Sequence, residues 1–526
     1  MLITDSKKIF EMKKVLILTG AIILAVVISC EKSSLDKVNP NGVTFDTYYS
    51  NDQELIAGVN SAYATVQGFG LGAREWFFTH DLRADEMATG GGQLEAPRNQ
   101  LLIGVNDASN PVANSVYTGW YRTIHRANVV IESGLKTNAA FSEAIKNRVT
   151  GEAKFLRAWG YFELATLWGG VPLYTEFAKS VEDAQPKSTQ ETVYKQVIAD
   201  LKAAEGLLPE SYDAKNLGRA TKAAAQTLLA RTYLQMGDYA SAKTELEKVV
   251  NSGRFKLVDN YLDLTNEEGE FNSESIFEIV FAPSNGAFNW SGPDGDGNSV
   301  QEETIRTQEY SPIGWRNLIP SNKMIDNYER TVKGDAKNDP RFDMSFWKAG
   351  DKFNNGNDVI SDAAVQGNSS QMDGKTFKIS WRKYSLLYKS NAGFATSGIN
   401  MRVMRYADVL LMLAECENEL GNSAKAISLM NQVRARASVA MPAYPTANYP
   451  CDSKAKVFEA LQHERYVELA AEQVRNLDIL RWRKNKKLTS EPISYFKASK
   501  HELLPLPQTE IDNNPKIDPK DQNPGY

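Results

Sequence analysis

The chain has 526 residues, 42% of them hydrophobic and 24% charged, which is the make-up of a globular protein and argues against general disorder. Its formal charge is −5, and setting aside residues 1–29, which carry a net +2, takes it to −7. A mildly acidic balance of this kind offers no electrostatic footprint for nucleic acid.

The N-terminus reads as a targeting signal. Lys7, Lys8, Lys13 and Lys14 precede an apolar run from Val15 to Ile28, 14 residues long, which is short for a bilayer span and suits a signal-peptide core. The run closes on Val27-Ile28-Ser29-Cys30, which resembles a bacterial lipobox, so Cys30 is the expected lipidation site. Residues 30–44 follow as a polar tether. Only Cys416 and Cys451 remain beyond Cys30, so no disulfide framework is implied.

Helix is expected from Phe45 to Gln67 and again from Ser115 to Glu132. Between them, Arg74 to Gln93 carries Asp81, Asp85 and Glu86 ahead of a triple-glycine stretch. Neighbouring carboxylates on one element do not form the opposed acid and base that a hydrolase needs across a cleft.

The stretch GEAKFLRAWGYFELATLWGGVPL, Gly151 to Leu173, is the one around which the chain is organised. From Phe155 to Trp168 its only charged residues are Arg157 and Glu163, so a helix here is apolar over most of its circumference and belongs between other helices. Gly169-Gly170 and Pro172 stop it sharply.

An internal repeat follows. Arg219 to Val250 sets Leu229, Ala230, Tyr233, Gly237, Ala242, Leu246 and Val249 on a tetratricopeptide pattern. Tyr406 to Arg436 repeats it, 184 positions later, with Leu413, Ala414, Gly421, Ala426, Met430 and Val433, although Glu417 stands in the tyrosine position. Neither hairpin can bury its apolar face alone, so the two should stack with the other helices. Between them, residues 252–400 lose helical periodicity and hold four of the nine tryptophans: Trp290, Trp315, Trp347 and Trp381. Short strands are expected at Ser275–Phe281 and Phe377–Tyr384. Asp294, Asp296 and Asn298 open like a calcium loop, but Ser299 and Ile305 replace its glycine and its bidentate glutamate, so a flexible acidic turn is the better reading. Helix resumes from Lys454 to Lys484, where Glu464, Glu468 and Glu472 share a face and should pair with arginines, Arg465, Arg475 and Arg481 being near in sequence.

Several of these stretches carry a family resemblance. Arg157-Ala-Trp-Gly-Tyr-Phe162 running into Trp168-Gly-Gly-Val-Pro-Leu173, the Glu464-Arg-Tyr-Val-Glu-Leu469 helix, and the terminus His501-Glu-Leu-Leu-Pro-Leu-Pro-Gln508 to Tyr526 resemble the SusD/RagB family of outer-membrane nutrient-binding lipoproteins. Gln473 and Asn476 depart from the glycine and aromatic often found there. The resemblance implies a mainly α fold: tetratricopeptide-like helical hairpins forming a scaffold, with a loop-rich insertion containing short β-strands. Its divisions would be a signal peptide (1–29), tether (30–44), N-terminal helical part (45–251), loop-rich insertion (252–400) and C-terminal helical part with extended tail (401–526).

The implied function is surface binding of an extracellular glycan and its delivery to a SusC-like TonB-dependent transporter, with the protein held at the outer membrane by its lipid. A peptide-binding member, a helical interaction scaffold and a hydrolase are the alternatives. The four histidines are scattered, and no nucleophile elbow, Walker loop or dinucleotide fingerprint occurs, so no catalytic residue, metal or cofactor is expected. The binding face is expected on the Arg74–Gln100 and Ser284–Trp315 loops. Trp290, Tyr310 and Trp315 are the candidate stacking platforms, Trp76 a weaker one, and Asp85 and Arg98 the candidate polar rim.

Overall fold

Helix boundaries follow from the capping groups. In a computed structural model describing Phe10, Met12 and residues 48–90, 94–136, 139–283, 302–330 and 338–526, α1 (Asp52–Gln67) starts where the Asn51 side chain accepts from the amides of Gln53 and Glu54, later than Phe45. Residues 51–526 form one compact unit; those up to Ser50 fall in another, where Tyr48 meets Tyr49 edge-on at 4.9 Å. Apart from Phe10 and Met12, the signal segment lies outside the described residues, as do Cys30, the tether, Trp290 and the acidic turn at 294–298.

Two short helices, α2 (Glu75–Leu82) and α3 (Ala96–Ile103), flank strand β1 (Met87–Thr89) where loop was expected. Next come α4 (Pro111–Gly134) and α5 (Glu143–Trp168). The Asn110 cap and Pro111 at the first helical position explain why α4 begins a turn before Ser115. Then α6 (Gln190–Leu207), α7 (Lys222–Met236) and α8 (Tyr239–Asn251) complete the first half. In the insertion, β2 (Ser275–Ile279) is followed by α9 (Arg306–Tyr310), β3 (Leu318–Pro320), α10 (Asn322–Asn327) and α11 (Arg341–Ser345). Six strands of two or three residues, β4 to β9, lie between Phe346 and Trp381. The chain ends with β10 (Met401–Arg405), α12 (Tyr406–Glu419), α13 (Ser423–Arg434), α14 (Lys454–Glu468), α15 (Arg475–Lys484) and α16 (Gln508–Asn513).

The helices pack in a continuous succession, α1 on α4, then α5, α6, α7, α8 and α12, with α13 and α14 both against α12. The two tetratricopeptide-like hairpins therefore touch through α8 and α12 despite their separation in sequence. Gly237 (φ 78°) and Gly421 (φ 92°) make the same left-handed turn in each. Glu417, in the tyrosine position, pairs instead with Lys243 of the first hairpin at 3.0 Å. Every described sheet is a two-stranded antiparallel pair, and β2–β10 joins the start of the insertion to its end.

Helix α5 is the axis of the core, buried without a break from Phe155 to Trp168. The two charges of this buried stretch are matched in the interior. Arg157 binds Asp200 through Nε and Nη2 (2.8 and 2.6 Å), and Glu163 meets His80 at 2.9 Å. The C-terminal tail closes its end: the Leu504 amide donates to the Leu167 carbonyl (2.7 Å), and Asn523 Nδ2 to that of Trp168 (2.8 Å). Trp168 Nε1 donates in turn to the carbonyl of Pro505 at 2.9 Å. Carbonyls left over at a helix end thus find donors in the chain's last residues.

The expected 454–484 helix is broken. Ala471 (φ 57°) and Gln473 (φ 60°) turn the chain between α14 and α15. The carboxylates do form ion pairs, with other partners. Glu468 is held by Arg341, Arg405 and Arg436 (2.8–2.9 Å), Glu464 by Arg341 and Arg434 (2.6 and 3.1 Å), and Glu472 by Arg405 and Lys383 (2.6 and 2.8 Å). Arg465 and Arg481 turn to Asp478, and Arg475 to Asp85.

Ala242, fully buried on α8 between α7 and α12, has no room for a larger side chain, whereas Ala424 on α13 is exposed. Ala242→Leu should therefore cost about 1–3 kcal/mol and Ala424→Leu less than about 0.5 kcal/mol. Equal losses of melting temperature at the two sites would break the alignment of the hairpins.

Candidate functional site

All eight residues of α2 are buried, because the helix lies between α4 and the turn that opens α15. This moves several expected ligand residues into the interior. Trp76, 4% exposed, meets Trp159 edge-on at 6.1 Å and His80 at 5.1 Å, so its ring faces the core. Tyr310 is fully buried, with Phe77 at 6.0 Å, and its hydroxyl donates to Asp81. Neither ring offers a face to a ligand. Asp85 takes Arg475 through both oxygens (2.7 and 3.0 Å) and Lys323 at 2.5 Å. Burial alone would raise its pKa, but Arg475 and Lys323 hold it below the usual carboxylate range. It is a clamp on the α15 turn and not a rim group. Arg98 is also interior, paired with Glu75 (2.5 Å) and Glu95 (2.7 Å) under the ring of Phe78.

What the structure does present is a ledge built by two loops. The turn after α9 carries Trp315, half-buried, whose amide donates to the Gln308 carbonyl at 2.8 Å. Gln308 Nε2 donates to the carbonyl of Phe394, whose ring is 50% exposed. The loops are in backbone contact at Gly314 and Gly393, and a Cβ on Gly393 would stand 1.4 Å from the Ile313 carbonyl oxygen, so only glycine fits. Arg316 fastens the ledge from beneath, donating to Ser380 Oγ (2.7 Å) and to the carbonyls of Gln366, Asn368 and Ile379 (2.8 Å each). Burial lowers its pKa to about 10, against the opposing charge of Asp362.

Beside the ledge lies a polar floor. Glu309 accepts from Asn317 Nδ2 at 2.8 Å, and the Asn317 carbonyl accepts from the Gly90 amide. The second oxygen of Glu309, Asn317 Oδ1 and Glu75 Oε2 are buried, and among the described residues they have no hydrogen-bond partner. Burial raises the Glu309 pKa to about 7 against the opposing charges of Arg74 and Arg98. Two hydrogen bonds to the Ala73 carbonyl, from the Ile305 amide and from Thr304 Oγ1, anchor the segment that follows residues 284–301 beside this floor. Of the expected site residues, Trp315 stands on this face, Trp290 is outside the described residues, and the others are internal. Phe394, Gln308, Glu309, Asn317 and Arg316 were missed. The one sequence signal for Phe394 is a bulky aromatic among small residues, in Ser390-Asn-Ala-Gly-Phe-Ala-Thr396. No group of three or more His, Cys, Asp or Glu among the described residues could hold a metal ion.

Two family models match complementary parts of the chain: "SusD family" over residues 273–526 and "Starch-binding associating with outer membrane" over 74–234. The chain belongs to the SusD/RagB family. A tetratricopeptide repeat model also matches residues 223–252, the first hairpin. SusD-like protein P2 of Formosa agariphila is 29% identical over 97% of this chain and 99% of its own. A solved laminarin-binding SusD-like protein superposes with a TM-score of 0.72 at 26% identity, covering 91% of this chain and all of that one. A SusD superfamily structure from Bacteroides vulgatus shares the fold, with a TM-score of 0.74 at 24% identity over 91% of this chain and 100% of its own.

Glu309 gives this face a pH signature. Its folded pKa, about 7, lies above the ordinary value near 4.3, so its stability contribution is complete below about pH 4.3 and falls away as pH rises towards 7. Glu309→Gln keeps the neutral shape at every pH. Its unfolding free energy should match the parent's near pH 4.5 and exceed it increasingly up to pH 7, by up to about 3 kcal/mol. A pH-independent difference would show that Glu309 does not carry this titration.

Proposed function

We propose that the protein binds an extracellular glycan on the face formed by Trp315, Phe394 and the Glu309–Asn317 floor. The observation that carries this reading is the exposed ring of Phe394 beside half-buried Trp315, on loops locked together at glycines. Flat apolar faces suit the C–H faces of sugar rings, and unsatisfied polar atoms nearby suit their hydroxyls. The laminarin-binding relative and the starch-binding description of the model over 74–234 support the same ligand class. A binder is favoured over a hydrolase because Asp81 and Asp85, two of the carboxylates weighed from the sequence as acid and base, are engaged, Asp81 by Tyr310 and Gln473 and Asp85 by Arg475.

Phe394→Ala and Trp315→Ala should each weaken retention in gels containing laminarin or starch by at least about five-fold, close to 1 kcal/mol. Phe394→Ala should leave the melting temperature unchanged. Parental retention in both variants, or no retention of the parent by any glycan tried, would rule this face out.

In this reading the mature chain is a lipoprotein of the outer membrane, anchored through Cys30, and it passes its ligand to a SusC-like TonB-dependent transporter. A diacylated cysteine with an amide-linked third chain gives stable attachment without a membrane-spanning helix. Cys30→Ala should release the protein from the membrane fraction or leave its precursor uncleaved. Surface labelling and membrane retention equal to the parent's would sink the anchor assignment.

A further inference from the structure

On α4, away from the Trp315 ledge, Tyr117, Tyr121 and His125 line a cleft of about 440 Å³, shared with Tyr174 and Glu176 from the segment after α5 and with Glu510 on α16. Its walls are aromatic: Tyr117 and Tyr121 lie 4.8 Å apart, and Tyr174 meets Tyr121 edge-on at 6.0 Å. Its charged groups are carboxylates. No lysine or arginine is among the lining residues, and Glu176 and Glu510 form no ion pair among the described residues. Glu510 Oε1 accepts only from Asn514 Nδ2, at 2.8 Å. The contrast with the adjoining helices is sharp, since Asp200 and Glu152 are both matched by arginines at 2.6–2.8 Å.

A second observation points to a ligand. Tyr117 is 3% exposed and lines the cleft, and among the described residues its hydroxyl has no partner in good hydrogen-bond geometry, the Tyr121 hydroxyl being the group beside it. Its neighbours are committed, since the Tyr121 hydroxyl donates to the Pro172 carbonyl (2.7 Å) and the Tyr174 hydroxyl accepts from the Gln185 amide (3.3 Å). A buried hydroxyl without a partner is a cost that an occupant would relieve. His125 is the one lining group that could become cationic, and it lies edge-on to Phe177 at 5.1 Å.

We propose that this cleft binds an organic cation, the guanidinium or ammonium end of an arginine- or lysine-like group, over the tyrosine rings and against Glu510. Electron-rich ring faces attract such cations most strongly where water is partly excluded, and an unpaired carboxylate at the same place adds an ion pair. Sugars, being neutral, would leave the charge of Glu510 unmatched. The site is separate from the glycan face, and neither depends on the other.

The test is calorimetric titration of the full mature chain at pH 8 and low salt with agmatine, butylamine and 1-butanol. Agmatine and butylamine should bind and 1-butanol should not. Glu510→Gln should weaken agmatine at least about five-fold while keeping the parental melting temperature. Should that variant unfold, Glu176→Gln, at an exposed position, is expected to weaken agmatine in the same direction. Agmatine binding no tighter than butanol, or unchanged in both carboxylate variants, overturns the proposal. So does displacement of agmatine by a laminarin oligosaccharide, which would make the cleft a second sugar site. Trp315→Ala should leave agmatine binding intact, and Glu510→Gln should leave glycan retention intact, so the two readings fail separately.

Discussion

The fold depends on a set of charges that never meet water. Around Glu468, the cations Arg341, Arg405, Arg434, Arg436 and Lys383 face Asp339, Glu274, Glu329, Glu464 and Glu472, with every side chain at most 3% exposed. Burial would force Glu468 neutral, but Arg436, Arg405 and Arg341 reverse this and hold its pKa far below the ordinary range. Such an arrangement need add little net stability over a well-packed apolar core, yet removing one member strands a charge and costs several kcal/mol. Its members come from the insertion, from β10, from the second hairpin and from α14. The cluster thereby ties these four parts of the chain together.

That lock extends to the ligand face. On either side of Glu472 the chain turns through Ala471 and Gln473, both at positive φ, where glycine is usual. Gln473 is kept there by its side chain, which donates to Asp81 (2.9 Å) and accepts from Arg306 (2.6 Å). Arg306 belongs to α9, and α9 leads directly into the Trp315 turn. A departure from the family pattern at one residue is thus absorbed by a side-chain bridge between the turn and the root of the ledge.

The scaffold was readable because periodicity and turn glycines are local signals: Ala242 and Ala426, Gly237 and Gly421 announced both hairpins. α2 was not readable. A helix buried on all sides, Glu-Trp-Phe-Phe-Thr-His-Asp-Leu, has no polar face to set its period, and its charged residues suggest surface. The same blindness affected the site. An aromatic side chain looks alike in sequence whether it fills a core, as Trp76 and Tyr310 do, or stands on a ledge, as Phe394 does. The choice between these is made by contacts hundreds of residues away. Ion-pair partners were likewise assigned by nearness in sequence, to Arg465, Arg475 and Arg481, when folding had distributed them across the insertion, β10 and the second hairpin.

The meeting of α5 with the tail carries a consequence for how the molecule is made. The end of the central helix is completed by Leu504 and Asn523, more than three hundred residues downstream of Trp168. While the chain is being synthesised or threaded through a membrane, the first half has helices but lacks the segment that seals their shared end. The end of the central helix therefore lacks these partners until Leu504 and Asn523 are in place. Closure is an event of the whole polypeptide, and a chain cut short before Leu504 lacks the finishing piece of its own centre.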